Sequence, residues 1–176
     1  MKKLFAGSLA SILVMCATFA MAQQQAATLT DAQIAEILDV ANAGEIKTGK
    51  EAKSSASNSE VKQFAEQMIT DHKAMSKSNK ELAKKLDIKP KESDTSKTLE
   101  ADAKTTLKEL KKLKGPEFDK AYIASQVSMH QTVLDTINNM LLPNAKNPEL
   151  KTMLTQAAPQ IEAHLKHAKD MQSKMR

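Results

Sequence analysis

Four stretches of this chain carry apolar residues in alternating steps of four and three, the spacing of helices that bury one seam along their length. Over residues 31–54 the stripe reads Ile34, Leu38, Ala41, Glu45, Thr48, Ala52. Over 59–86 it reads Val61, Ala65, Met68, His72, Met75, Asn79, Leu82, Leu86. Residues 117–142 give Ile123, Val127, His130, Leu134, Ile137 and Leu141. The last stretch, from Pro148, gives Leu150, Leu154, Ala157, Ile161, His164, Ala168, Met171 and Met175. Helix starts are marked too. Thr30-x-x-Gln33 and Ser57-x-x-Glu60 have the form of capping boxes, and Asn147-Pro148 puts a capping side chain before a first-turn proline.

The first two helices are joined by a tight turn, as are the last two, which predicts two antiparallel hairpins. Between them, residues 87–95 form a loop around Pro90. A shorter helix over 96–114 uses Leu99, Ala103, Thr106, Leu110 and Leu113, with Gly115-Pro116 expected to stop it. The expected fold class is all-α: a ferritin-like four-helix bundle, two antiparallel helical hairpins joined by a long crossover containing a short fifth helix. The domain should cover 30–176, behind a disordered stretch over 23–29.

Ahead of that stretch, Met1-Lys2-Lys3 is followed by an uncharged apolar run that ends in Ala20-Met21-Ala22. This pattern predicts a signal peptide over 1–22, cleaved after Ala22, and a periplasmic protein. The run is short for a membrane span of ~20 residues and is interrupted by Gly7, Ser8 and Ser11, so no transmembrane helix is expected in the mature chain. Cys16 is the one cysteine. Disulfides, thiolate metal sites and a cysteine nucleophile are therefore not expected after cleavage.

Charge is uneven. Residues 23–72 hold 4 Lys and 8 acidic residues, whereas 73–114 hold 13 Lys and 7 acidic residues. Such a run is either a solvated face or a surface for anionic lipid, cell wall or a protein partner. With Arg176 the one arginine and no aromatic in the run, nucleic-acid recognition is not expected. The chain contains no Gly-rich phosphate loop, G-x-S-x-G elbow or H-E-x-x-H helix, so no enzyme is expected.

Glu45, His72, His130 and His164 sit on the inward stripes, one per long helix. Buried polar groups need partners or a cation. Counting rises from the helix ends places His72 with His130, and Glu45 with His164, on two levels roughly 6 Å apart. A ferritin di-iron site requires Glu-x-x-His, but Ile69, Val127 and Ile161 stand three residues before the histidines. Two readings stay open. One is a mononuclear Cu, Zn or Fe site, with Met68, Met75 and Met129 as soft donors that favour Cu(I), or with the C-terminal His167, Met171 and Met175 contributing. The other is a protein-only network in which Glu45 or Asp71 holds a histidine, with Tyr122 and Asn79 nearby. Gly44 and Pro159 mark either a close helix contact and a kink, or bends around the Glu45–His164 level.

Ala41-x-x-Gly44-Glu45-Ile46, Met68-Ile69-Thr70-Asp71-His72, Phe118-Asp119-x-x-Tyr122, His130 and Pro159-x-x-x-x-His164, taken in order, resemble the exported ferritin-like family called domain of unknown function 4142. The resemblance implies the fold and an envelope location. It further implies a polar core of Glu45, Asp71, His72, Asp119, Tyr122, His130 and His164, with Met68 beside it, and no established activity. The expected function is a non-enzymatic periplasmic bundle whose Glu/His cluster takes one transition-metal ion, in envelope stress or metal handling. The alternatives are an envelope binding module docking through the Lys-rich crossover and, less favoured, a redox or hydrolytic enzyme. The expected partners are an envelope component or a second copy of the chain.

Overall fold

The Thr30 capping box forms as read: the Gln33 amide donates to the Thr30 hydroxyl, and the Gln33 side chain accepts from the Thr30 amide. It opens α1 (Asp31–Ser55). The computed structural model describes residues 28–175, so the expected signal peptide and residues 23–27 lie outside the described residues. Leu29, assigned by the sequence to the N-terminal tail, is buried, and its amide donates to Asn144.

α2 (Ser59–Lys85) departs from its expected cap. Asn58 is the N-cap, its side chain accepting from the Glu60 amide. Ser57 instead donates its amide and hydroxyl to the Asp119 carboxylate, which also accepts from the Asn58 amide. A long-range carboxylate thus takes the serine that local sequence had assigned to the helix. α3 (Asp94–Leu110) starts with Ser93 paired to Ser96 and ends earlier than expected. Gly115 does not stop it. At a φ of 59° this glycine turns the chain into α4 (Gly115–Thr136), using backbone freedom that other residues lack. α4 widens into a π-turn, Ile137–Leu141, and then α5 (Leu142–Asn144). Pro143 sits in the first turn of α5, where its missing N–H costs no helical hydrogen bond. α6 (Pro148–Lys174) is capped by Asn147 as expected and runs without interruption through Pro159, which is exposed.

All elements among the described residues are helical, and no helix there is long and apolar enough to cross a membrane. α1 and α2 run antiparallel: Lys53 pairs with Glu66 at one end, and Asn79 donates to the Ala35 carbonyl toward the other. α4 and α6 do the same, from Gln131 with Lys169 to Ile137 and Leu141 clustered with Leu150 and Leu154. The pairs are clasped at both ends. Asp119 holds the α1–α2 turn, and Asp31 accepts from the amides of Lys146 and Asn147 before α6.

Two apolar cores result. One contains Val61, Phe64, Met68, Phe118, Tyr122 and Met171; the other contains Ile34, Leu38, Ile137, Leu150, Leu154 and Ile161. Between them in the chain order of every long helix stand the buried polar residues Glu45, His72, His130 and His164. α3 covers the other face of α1, which explains the burial of Ile37 and Gly44 off the seam. Gly44 marks a close contact: a Cβ there would stand 2.9 Å from the Ala103 Cβ of α3. In an open helix Gly→Ala stabilises by about 1 kcal/mol. Gly44→Ala should instead destabilise by ~1–2 kcal/mol, because α3 must shift to make room; urea unfolding checks the sign.

Candidate metal centre

Each long helix delivers one polar group to the same layer. His72, His130 and His164 are 3%, 1% and 3% exposed, and their ring centroids lie 5.3 to 5.6 Å apart in all three pairs. The two levels expected from helix counting are a single cluster, because side-chain reach closes the offset that backbone rises alone give. One ligand nitrogen from each ring lies within 4.8 Å of the other two.

The hydrogen bonds set the tautomers. His130 Nδ1 donates to the Gln126 carbonyl at 3.0 Å. His72 Nδ1 donates to Asn42 Oδ1 at 2.9 Å, and Asn42 Nδ2 in turn donates to the Leu38 carbonyl at 2.8 Å, which fixes the orientation of the amide. His164 Nε2 donates to Asp71 Oδ2 at 2.9 Å. Every ring therefore spends one N–H on an outer oxygen. The nitrogens left over, His72 Nε2, His130 Nε2 and His164 Nδ1, are buried and have no hydrogen-bond partner among the described residues. They are imidazole lone pairs, the form in which histidine binds a metal, and the outer acceptors are the kind that orient such ligands.

Burial favours the neutral form of His72 and His164. It pushes the His72 pKa well below the ordinary value, with His130 and His164 adding to the shift. His164 is lowered by burial as well, against the opposing pull of its bond to Asp71. Glu45 is raised by burial, opposed by His130 and by the hydrogen bond from Gln126. Its Oε2 accepts from Gln126 Nε2 at 2.9 Å, and its Oε1 lies 3.7 Å from His130 Nδ1 with no hydrogen-bond partner. Glu45 thus backs His130 from the outer side and stays outside the group of mutually close ligand atoms. The Tyr122 hydroxyl is also buried without a partner, its pKa driven well upward by burial and then by Glu45.

The remaining expected site residues divide. Asp71 holds His164. Asp119 lies away from the cluster, capping α2, and belongs to the frame of the fold. Met68 packs in the apolar core with Phe64 and Tyr122. Met75 lines a cavity beside the cluster, whereas Met129 lines a separate groove beneath α3. His167 is exposed, its ring edge-on to Phe64, and Met171 is buried in the core, so the C-terminal set does not join the histidines. Asn79 ties α2 to Ala35 and Asp39 of α1 and bonds to no histidine.

Sequence reasoning missed Asn42 and Gln126. Both were available at the same helical steps, but Ala41 and Val127 were preferred because they are apolar. The chain buries the amides and leaves Ala41 and Val127 partly exposed. A polar residue three or four positions from a seam histidine or glutamate was the usable signal.

The cavity beside the cluster measures about 230 Å³ and is lined by Glu45, His72 and His130 together with Leu38, Ile137 and Leu154. His164 is not part of its wall. α2 and α6 touch sparsely, and the exposed residues Ala74, Ser78, Gln156 and Gln160 frame its mouth between them.

The shifted pKa values make stability pH-dependent. The unfolded chain takes up protons at His72 and His164 as pH falls through ~6.5, whereas the folded chain resists, so these residues cost stability on acidification. Glu45 acts with the opposite sign: its raised pKa costs stability as pH rises from ~4.5 through the folded value. In chelator-treated protein, the loss of melting temperature between pH 7 and 5.5 should therefore be smaller in His72→Gln than in the unsubstituted chain. Equal losses would mean that His72 is not held neutral by the fold.

No curated protein and no solved structure matches the chain. A family model described as Domain of unknown function (DUF4142) does match, over residues 16–171. That span takes in α1, α2 and α4, α6 as far as Met171, and every residue of the cluster, and the chain belongs to this family.

Proposed function

We propose that this protein is an exported ferritin-like four-helix bundle that holds one transition-metal ion on His72, His130 and His164, in a non-enzymatic role in metal handling or envelope stress. The observation that carries this reading is a set of three buried imidazole nitrogens without a partner among the described residues, on rings that each bring a ligand nitrogen within 4.8 Å of the others. A protein-only network would be expected to pair them, since leaving a buried polar atom unsatisfied costs ~1–3 kcal/mol. Here every outer nitrogen is satisfied and every inner one is not. A Zn–N bond of ~2.0–2.1 Å puts ligand nitrogens about 3.4 Å apart, so loading draws the rings inward from separations of up to 4.8 Å.

Charge supports a cation. Asp71 stands behind His164 as a counter-charge, and Glu45, whose pKa burial raises, stands behind His130. Imidazole suits Zn, Cu and Fe, and Met75 on the cavity wall adds a soft donor that favours copper. The ferritin-like arrangement rests on the two antiparallel hairpins and the crossover helix α3. The missing Glu-x-x-His pairs argue against di-iron chemistry. Docking through the Lys-rich crossover is the weaker reading: Lys97, Lys104 and Lys112 are paired with Glu92, Glu100 and Glu109.

Protein recovered from a periplasmic fraction should begin at Gln23 by mass spectrometry and, once stripped of metal, bind Zn²⁺ or Cu²⁺ one-to-one by calorimetry. His130→Ala and His164→Ala should each weaken binding by about a hundredfold or more, and Asp71→Asn by ~10–100-fold. A one-to-one isotherm that survives both histidine substitutions would overturn the assignment. An intact N-terminus would overturn export.

A further inference from the structure

We infer that the loaded site keeps one coordination position open to the cavity between α2 and α6, and that this position takes a small monocarboxylate whose apolar tail lies along Leu38, Ile137, Leu154 and Ile161. This rests on the metal reading above. Three protein ligands leave a tetrahedral ion with a fourth position for water or another donor. The packing decides where that position points. Toward one end of the bundle the trio meets Phe64, Met68 and Tyr122, each 0–1% exposed and closely packed. Toward the other end it meets the cavity, whose wall includes His72 and His130 but not His164.

The wall selects the occupant. Besides the two histidines, Glu45 is the one ionisable residue among the described residues that line it, and no described Lys or Arg does. An anionic head therefore has the metal alone to pair with, and a second negative charge would meet Glu45 and apolar side chains. The mouth is formed by Ala74, Ser78, Gln156 and Gln160, all uncharged. At about 230 Å³ the space is smaller than the ~300–1,000 Å³ of drug-sized ligand sites, which fits a short chain.

The test uses the full mature chain loaded with Co²⁺, whose visible absorption reports its ligands, titrated with formate, acetate, propionate and butyrate. Each added carbon should tighten binding about threefold to fourfold, the effect of burying one methylene. Ala157→Phe, which fills the cavity wall, should keep Co²⁺ uptake and lose the dependence on chain length. Uptake of Co²⁺ with no spectral response, or with the same weak affinity for all four acids, overturns the open position and leaves the metal site standing. Failure to take up Co²⁺ overturns both.

Discussion

Three imidazoles buried in one layer, with their protons turned outward, impose the constraint on which the rest of this protein depends. Burying a polar ring is unfavourable unless its N–H finds an acceptor, and each ring here finds one: Asn42 for His72, the Gln126 carbonyl for His130 and Asp71 for His164. The acceptors come from α1, α4 and α2. The Asn42 and Asp71 bonds cross between helices, so α1, α2 and α6 must hold their register to within a hydrogen bond, and Gln126, donating to Glu45, ties α4 to α1. Asp119 and Asp31 are the clasps that hold it, one at each end, by tying the two hairpins together through backbone amides. The apolar cores on either side bury the rings, and that burial lowers the His72 pKa and keeps its lone pair available at neutral pH.

Helix α3 extends this logic outward. It packs against α1 rather than joining the histidine layer, and Gly44 lets it approach directly beside Glu45 in sequence. α1 is consequently buried on two sides, and it supplies both Asn42 and Glu45. By contrast, α2 and α6 meet sparsely, and the cavity opens where they part. Rigidity is thus concentrated where the rings are oriented, and access is left on the side where two of the three present a face.

Much of this was legible in the heptad steps. They identify the four long helices and place His72, His130, His164 and Glu45 inward, because a period of three and four reports which face is buried. The Thr30 and Asn147 caps are local chemistry and read correctly. What could not be read depends on contacts distant in sequence. Ser57 looked like a cap until Asp119, 62 residues away, claimed it. Gly115 looked like a stop and instead begins α4. Asn42 and Gln126 went unnoticed because their partners lie on other helices or in the geometry of a single turn. The two-level estimate failed for a related reason: counting along an axis ignores the reach of a side chain across it.

The central claim is that three lone pairs converge, and nitrogen-15 NMR of the histidine rings in metal-free protein at neutral pH tests it most directly. Fixed tautomers are expected, with the proton on Nδ1 in His72 and His130 and on Nε2 in His164. One equivalent of Zn²⁺ should shift the unprotonated nitrogen of each ring. A reversed tautomer at any of the three, or a metal response confined to His167, would contradict that claim.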